Sequence, residues 1–576
     1  MTVPRSAPKA GRTAGPRGRA RLAGWLFAVV VVAGAPAAAQ TALPRELLDA
    51  EARSVAAAAR MISATVGLGS IDGPSVASGV ASGVIVSPDG LILTVAHAIE
   101  SFEGDVAVLL SDGRVTRARR LGRDAAVDAG MLRLVEPGPW PFVEPGDSTV
   151  LEVGAWCLAA GHSDGIVADR AAPVRLGRLR GVLRDGRFQR IGLVSDATLQ
   201  PGDSGGPLVD LDGRLVGIGM SISTDRRDNF SVPIEVFKRR WDALVAGAVV
   251  PGESAEPTMD SDLREESLSH PSVRDRFTAS VATARESVVE LLDDDRRVAL
   301  GVVVRDDGWI LTKASELRAA TRCRVGGRSL AYRIVATDDA SDVAVLRVEA
   351  DGLVPMAWSE AEVAVGRWLV TPGPTGRPVA VGTVSVATRP IPPRQRYVGD
   401  DDDDAPALGI TLDEDPAGTG TILRRVSPSG PARAAGLRRG DRIVALDGLP
   451  TLTADALAER IRAVAVGDTV VITYRRDGLW RETEATLVTM AEAQSDRPRR
   501  ADLAFSGPVS RRRQGFPHAF THDSVIPPQA CGGVVVGLDG RAVGLTIARV
   551  DRTTNYAIPA AEVGRLLTRL LPPRRS

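Results

Sequence analysis

Lysine is nearly absent from this 576-residue chain: only Lys9, Lys238 and Lys313 occur, so almost all of its 71 basic residues are arginines. They are scattered, and 71 acidic residues balance them. That combination excludes the basic stripe that nucleic acid requires. Cysteine is equally scarce. Cys157, Cys323 and Cys531 stand far apart with no metal-ligand spacing, so neither a metal centre nor a disulfide framework is expected, and no organic cofactor is implied. The first 39 residues contain no acidic residue but six basic ones. A basic region from Arg5 to Arg21 precedes the apolar run Leu22–Ala35 and then Ala37-Ala38-Ala39, which is the pattern of a cleavable export signal over 1–39. The run is shorter than the ~20 residues of a membrane span, and no cysteine follows it for lipid attachment. A periplasmic or secreted, mildly acidic mature protein is expected, with an uncleaved membrane anchor as the alternative.

The length exceeds what one hydrophobic core serves, and the chain repeats itself. Ser82-Gly83-Val84-Ile85-Val86-Ser87-Pro88-Asp89-Gly90-Leu91-Ile92-Leu93-Thr94 returns as Leu300-Gly301-Val302-Val303-Val304-Arg305-Asp306-Asp307-Gly308-Trp309-Ile310-Leu311-Thr312. Asp124 and Asp128 fall on Asp338 and Asp342, and Trp156 on Trp368, at offsets near 212. Further on, Gly205-Gly206 and Leu211-Asp212-Gly213-Arg214 match Gly532-Gly533 and Leu538-Asp539-Gly540-Arg541 at an offset of 327. The second copy has therefore gained about 115 residues, enough for a small domain. Short Val, Ile and Leu runs broken by Asp-Gly turns make both copies all-β, of the barrel class. Helices are expected at Leu43–Ala59, Pro233–Ala246, Thr453–Val464 and Ala560–Leu571, and a linker at Pro251–Pro271. The acidic run Asp400–Asp404 lacks spaced calcium ligands and reads as solvated.

The chemistry is concentrated in copy one. Gln200-Pro201-Gly202-Asp203-Ser204-Gly205-Gly206-Pro207 lies about 110 residues after Leu91-Ile92-Leu93-Thr94-Val95-Ala96-His97. A serine hydroxyl needs an imidazole to take its proton and fixed N–H donors for the oxyanion. Ser204 is the candidate nucleophile and His97 its base, with the backbone N–H groups of Gly202 and Ser204 as the oxyanion hole. A carboxylate must orient the imidazole, and Asp128, just ahead of an apolar strand, is the candidate.

These segments resemble the chymotrypsin-fold proteases, and most closely the bacterial HtrA/Deg branch, over about residues 60–245. The resemblance implies a mainly β protein with two chymotrypsin-like double β-barrel domains. It places Thr198, six residues before the serine, on the floor of the specificity pocket, so cleavage after Arg or Lys is not expected. Small or medium apolar side chains fit better. Asp203 departs from the Asn usual in that branch; if buried, it needs an arginine or backbone donors. In copy two Ser315 replaces His97, Asp342 is kept, Cys531 replaces Ser204 and Gln529 replaces Gly202. That barrel reads as silent, with Cys531 a small core residue; His522 is too far along its strand to act as a base.

The inserted stretch holds Ala407-Leu408-Gly409-Ile410 and Gly436-Leu437-Arg438-Arg439-Gly440-Asp441, and resembles a PDZ domain. In that likeness Leu408, Gly409 and Ile410 form the loop that grips a C-terminal carboxylate. The expected organisation is 1–39 signal, 40–60 helical segment, 61–247 protease domain, 248–278 linker, 279–396 and 491–576 degenerate protease-like domain, and 397–490 PDZ domain. The implied function is an exported serine endopeptidase that cleaves unfolded or envelope polypeptides through an acyl-enzyme. Its rival is a non-catalytic peptide-binding scaffold. Homo-oligomerisation, common in the branch, has no signature in Leu43–Ala59 and stays open.

Overall fold

In a computed structural model of the chain, residues 44–573 are described apart from 71–80, 101, 103, 164, 168, 185–189, 224, 253–257, 260–266, 294, 318–321, 394–404, 415–418, 428–429 and 494–506. The expected signal at 1–39 and the acidic run Asp400–Asp404 lie outside the described residues.

The apolar runs of copy one form twelve strands: β1 (Thr65–Ser70), β2 (Ala81–Ile85), β3 (Leu91–Thr94), β4 (Val106–Leu109), β5 (Val115–Asp124), β6 (Ala129–Leu134), β7 (Trp156–Ala160), β8 (Val174–Arg184), β9 (Arg190–Ser195), β10 (Pro207–Asp210), β11 (Leu215–Ile222) and β12 (Asn229–Pro233). The order β5-β4-β1-β2-β3-β6 is closed by a further β5–β6 pairing, and β8-β7-β10-β11-β12-β9 by β8–β9. Two six-stranded barrels result. Closure leaves no edge strand open to pairing with another chain, which is why short strands suffice here. Helix α1 (Arg45–Ala64) precedes them, α2 (Ala96–Glu100) follows β3, and α3 (Ile234–Val245) follows β12.

Copy two repeats the plan. Strands Val288–Asp293, Arg296–Arg305, Trp309–Lys313, Arg322–Val325, Arg328–Leu330, Tyr332–Asp338 and Val343–Val348 trace its first barrel, with the counterpart of β5 broken in two at Ala331. Its second barrel is closed: Trp368–Thr371, Ala380–Ile391, Phe516–His522, Asn555–Pro559, Ala542–Arg549, Val534–Val536. The extra residues leave between Ala380–Ile391 and Phe516–His522, the counterparts of β8 and β9, so they occupy a hairpin tip. A hairpin loop can be lengthened without shifting the ladder on either side, which is why the barrel survives the insertion.

The inserted domain has its own core of Leu408, Leu423, Leu437, Ile443, Leu446, Leu457 and Ile472, separate from that of the barrels. Its sheet runs Ile410–Glu414, Thr421–Val426, Arg442–Leu446, Thr469–Arg476, Leu479–Thr486, beside a helix at Ala454–Arg462. Thr453 caps that helix, its Oγ1 accepting from the Ala456 N–H at 3.2 Å. Pro406–Ala407 pairs with Val488–Thr489 and brings the two ends of the domain together.

The helix expected at Leu43–Ala59 starts at Arg45 and runs on to Ala64, because Met61 and Ala64 continue the buried stripe of Leu47, Ala50, Ser54, Ala57 and Ala58 and no breaker intervenes. It fastens the copies to each other. Arg53 pairs with Asp212 of copy one at 2.8 Å, while Ser54 Oγ donates to the Gly366 carbonyl at 2.9 Å and Glu51 Oε1 accepts from the Trp368 N–H at 3.0 Å. The repeat-related Trp156 and Trp368 stack with ring centroids 4.5 Å apart, and Phe277 packs against both. Burying large aromatic area in this way makes the contact between copies part of one apolar core.

Candidate active site

Three loops deliver the site. His97 sits in the first turn after β3, Asp128 in the tight turn between β5 and β6, and Ser204 in the loop between β9 and β10 of the other barrel. Asp128 adopts φ 52°, a left-handed conformation that Asp tolerates better than most residues. Its carboxylate turns to His97: Oδ1 accepts from the His97 backbone N–H at 3.0 Å, and Oδ1 and Oδ2 lie 3.1 and 2.9 Å from Nδ1. One carboxylate thus fixes both the backbone and the ring. The hydrogen bond to Asp128 raises the His97 pKa above its ordinary value, with burial pulling the other way. With Nδ1 taken by Asp128, Nε2 is the nitrogen left to accept a proton.

Gln200-Pro201-Gly202-Asp203 forms a type II turn. Proline stands at its second position, Gly202 at its third has φ 95°, and the Asp203 N–H donates to the Gln200 carbonyl at 3.0 Å. A side chain at Gly202 would be strained at that φ. The Gly202 carbonyl faces inward and accepts from Ser82 Oγ at 2.8 Å, and among the described residues neither the Gly202 nor the Ser204 N–H is spent on an acceptor. Ser204 Oγ itself donates to the Met220 carbonyl at 3.3 Å, not to His97. Gly205 follows where a Cβ would fall 2.0 Å from the Ser82 carbonyl oxygen, so the serine loop presses directly on β2.

Asp203 is fully buried and meets an arginine. Arg175, itself 1% exposed, places Nη1 2.9 Å from Asp203 Oδ2, which also accepts from the Gln200 N–H at 2.7 Å. The ion pair lacks the alignment of a hydrogen bond, and burial outweighs it: the Asp203 pKa is raised by desolvation, with Arg175 opposing. No new N-terminal amine is needed to hold this aspartate. Thr198 is buried, and its hydroxyl is 3.3 Å from the carbonyls of Asp196 and Arg226, so its polar group is turned to backbone.

The second copy shows how such a site is lost. Asp342 has φ 59° and binds the Ser315 N–H at 2.8 Å and the Ser315 hydroxyl at 2.9 Å, reproducing the Asp128 arrangement around a residue that cannot act as a base near neutrality. Pro528–Ala530 is a 3-10 turn with Gln529 where Gly202 would stand, and the Cys531 N–H donates to the Pro528 carbonyl at 3.0 Å. That N–H is consumed, so no oxyanion hole forms. The Cys531 thiol is fully buried and its pKa is raised by desolvation. His522 is also buried, its Nε2 3.4 Å from Thr546 Oγ1 and its pKa pushed down to about 3 by burial. Cys157 and Cys323 are buried with raised pKa values as well. Native protein should therefore incorporate no iodoacetamide at neutral pH and three equivalents after unfolding in urea; rapid alkylation of Cys531 in the native state would contradict the silent reading.

Arg175, Ser82 and the Met220 carbonyl were missed by motif reading, since none neighbours Ser204 in sequence. A signal does exist in the repeat. The strand registers align Arg175 with Ala380, and the repeat aligns Ser82 with Leu300, Asp203 with Ala530 and Gly202 with Gln529. Copy two has none of these polar side chains at the matching positions. In the inserted domain, Leu408, Gly409 and Ile410 form one wall of a groove of about 290 Å³ closed on the far side by Ala458, Ile461 and Arg462 of the helix. Leu408 is buried, and the Gly409 carbonyl accepts from the Ser427 N–H at 2.8 Å. Strand Ile410–Glu414 is at the sheet edge, with its outer side unpaired among the described residues.

Two closed six-stranded barrels paired in one domain, as in copy one, define the trypsin-like peptidase fold. The trypsin-like peptidase domain family matches residues 81–218 and 299–416, and the PDZ domain family matches 406–487. A DegP-like periplasmic serine endoprotease of Chlamydia muridarum is 30% identical over 190 residues, covering 32% of this chain and 37% of that one. The serine protease HhoA of Synechocystis is 33% identical over 180 residues, covering 30% and 45%. A solved serine endoprotease from Yersinia pestis aligns over 76% of this chain and 98% of its own at 17% identity, with a TM-score of 0.28. The chain thus matches less than half the length of these curated relatives. It carries the trypsin-like peptidase domain twice, with a PDZ domain within the second copy, and is similar to HtrA-like serine proteases. No helix among the described residues is long and apolar enough to cross a membrane.

Proposed function

We propose that the chain is an exported serine endopeptidase that cleaves unfolded or envelope polypeptides with copy one, while the PDZ domain takes their C-terminal ends. The observation carrying this reading is the coincidence, in copy one alone, of a carboxylate-held imidazole with a type II turn that leaves the Gly202 and Ser204 N–H groups uncommitted. In the mechanism, Ser204 Oγ exchanges its long bond to Met220 for His97 Nε2 and attacks the scissile carbonyl as Nε2 takes the proton. The Gly202 and Ser204 N–H groups receive the oxyanion. The imidazolium, steadied by Asp128, protonates the leaving amine, and a water activated by the same ring releases the acyl group.

A groove between an edge strand and a helix favours an added peptide strand, with its carboxylate at Leu408-Gly409-Ile410. Thr198 itself puts no acidic group at the floor position, and its hydroxyl faces backbone, which favours small or medium apolar side chains. The basic and apolar segment at 1–39 and the periplasmic relatives support export. A fluorophosphonate probe tests the reading. Wild type should label at one serine and Ser204→Ala not at all, with labelling accelerated by peptides bearing a hydrophobic C-terminus. Equal labelling of the two would leave the non-catalytic peptide-binding scaffold as the function.

A further inference from the structure

The turn that carries the oxyanion hole is held from outside its own domain. Gln200, first residue of that turn, is buried, and its side-chain amide is directed entirely at copy two: Nε2 donates to Asp551 Oδ1 at 2.8 Å and to Thr553 Oγ1. The segment making these contacts is preorganised. Asp551 Oδ1 also accepts the N–H groups of Thr553 at 2.8 Å and Thr554 at 2.9 Å, so the acceptors that meet Gln200 belong to a closed loop. Between them, buried Arg552 reaches to the other side of the serine, its Nη1 donating to the Ser223 carbonyl at 3.0 Å. Ser223 directly follows β11, the strand whose Met220 carbonyl holds Ser204 Oγ. Both flanks of the nucleophile are thus fastened to three consecutive residues of the silent copy.

The Gln200 contact has no equivalent from copy two. In copy two the position of Gln200 is filled by Pro527, which has no amide to offer, while Asp551–Thr554 matches Asp225–Asp228 of copy one through the paired positions Asn229 and Asn555. The interface around the loop is made of further cross-copy bonds: Asp523 Oδ2 accepts the Leu176 N–H at 2.7 Å, and Ser385 Oγ donates to the Val174 carbonyl. Strand β8, which carries Arg175 and hence the partner of Asp203, is thereby held from the same side.

We infer that Asp551, Arg552 and Thr553 of the silent copy are positioning residues for the oxyanion turn and the adjoining wall of the catalytic copy. The inference rests on the proposed protease reading and gives the degenerate copy a role in that chemistry: a loop in cis that fixes where the Gly202 and Ser204 N–H groups point. Positioning errors near 1 Å cost on the order of 100-fold in rate, and donors aimed at an oxyanion are sensitive in this way.

The test uses the full chain with the double variant Asp551→Ala/Thr553→Ala, the conservative pair Asp551→Asn/Thr553→Ser, and Ser315→Ala as a control elsewhere in copy two. The alanine variant should label with fluorophosphonate about 10- to 100-fold more slowly, with kcat and kcat/KM falling together and KM unchanged. Amide exchange of Asp203 and Gly206, whose N–H groups bond to the Gln200 and Asp203 carbonyls, should speed up while the rest of copy one stays protected. The conservative pair, which keeps both acceptor oxygens, should restore most of the rate, and Ser315→Ala should match wild type. Unchanged labelling and exchange in the alanine variant would overturn the inference while leaving the protease reading intact. Failure of wild type to label would instead sink the protease reading, and the exchange data would still decide whether the loop holds the turn.

Discussion

Replacing His97 by alanine should lower turnover by about 10⁶, to the level left by substrate binding and the oxyanion hole alone. The physical reason is that, among the described residues, the hydrogen-bond partner of Ser204 Oγ is the Met220 carbonyl, which cannot take a proton. The pH profile supplies an independent check. Because hydrogen bonding to Asp128 raises the His97 pKa, protonation disables the base at higher pH than in a free imidazole, so the acid limb of kcat/KM should lie above about 6.5. Asp128→Asn should move that limb downwards and cost about 10⁴ in turnover, since the amide cannot hold the working tautomer. An acid limb unmoved by Asp128→Asn would mean that His97 is not the titrating base.

The second large effect is expected at Arg175. Arg175→Leu should remove about 3–5 kcal/mol of stability at neutral pH, because it takes the nearest counter-charge from a fully buried carboxylate and leaves only Arg170 to oppose the cost of burial. The sign of the pH dependence follows from the raised pKa of Asp203. An acid whose folded pKa lies above its unfolded one binds protons more readily when native, so it favours folding at low pH and costs stability as pH rises through the folded value. Without Arg175 that value climbs further. The penalty should therefore be small in acid, where Asp203 is protonated, and grow towards neutrality, as urea denaturation across that pH range would register. Arg175→Leu/Asp203→Ala should recover much of the stability, since two neutral side chains carry no desolvation cost, yet remain impaired in labelling because the Asp203 carboxylate no longer binds the Gln200 N–H. A flat pH dependence for Arg175→Leu would mean that Asp203 finds another counter-charge.

The reading of copy two is bound to the same residues. Its Asp342 still grips the backbone and side chain of the residue at the histidine position, so the local geometry outlived the chemistry. Besides the histidine, copy two lacks counterparts of Gly202, Asp203, Arg175 and Ser82, and has Gln529, Ala530, Ala380 and Leu300 at those positions. Without glycine at the third turn position the left-handed φ is strained, and the loop relaxes into a 3-10 turn that spends the Cys531 N–H on Pro528.

Much of this was legible in the chain, because it depends on local order. Strands showed as short apolar runs between Asp-Gly turns, the duplication as a repeated segment, and the insertion as a jump in offset. The candidate nucleophile, base and turn glycine stood in contiguous motifs whose spacing reflects backbone geometry. The N-terminal helix extends five residues beyond the expected Ala59, since Met61 and Ala64 continue it through burial against other elements. Arg175 as the partner of Asp203 could not be read, because a buried carboxylate demands some counter-charge without saying which strand supplies it. Nor could the Gln200 contacts to Asp551 and Thr553, more than 350 residues away. By itself, then, the sequence determined that one copy carries the groups for acyl transfer and the other does not, because residue identity fixes which side chains can donate, accept or attack. Only the tertiary structure decided that copy two binds the Gln200 turn of copy one, because a hydrogen bond between distant segments exists only where two folded barrels bring their loops within 3 Å.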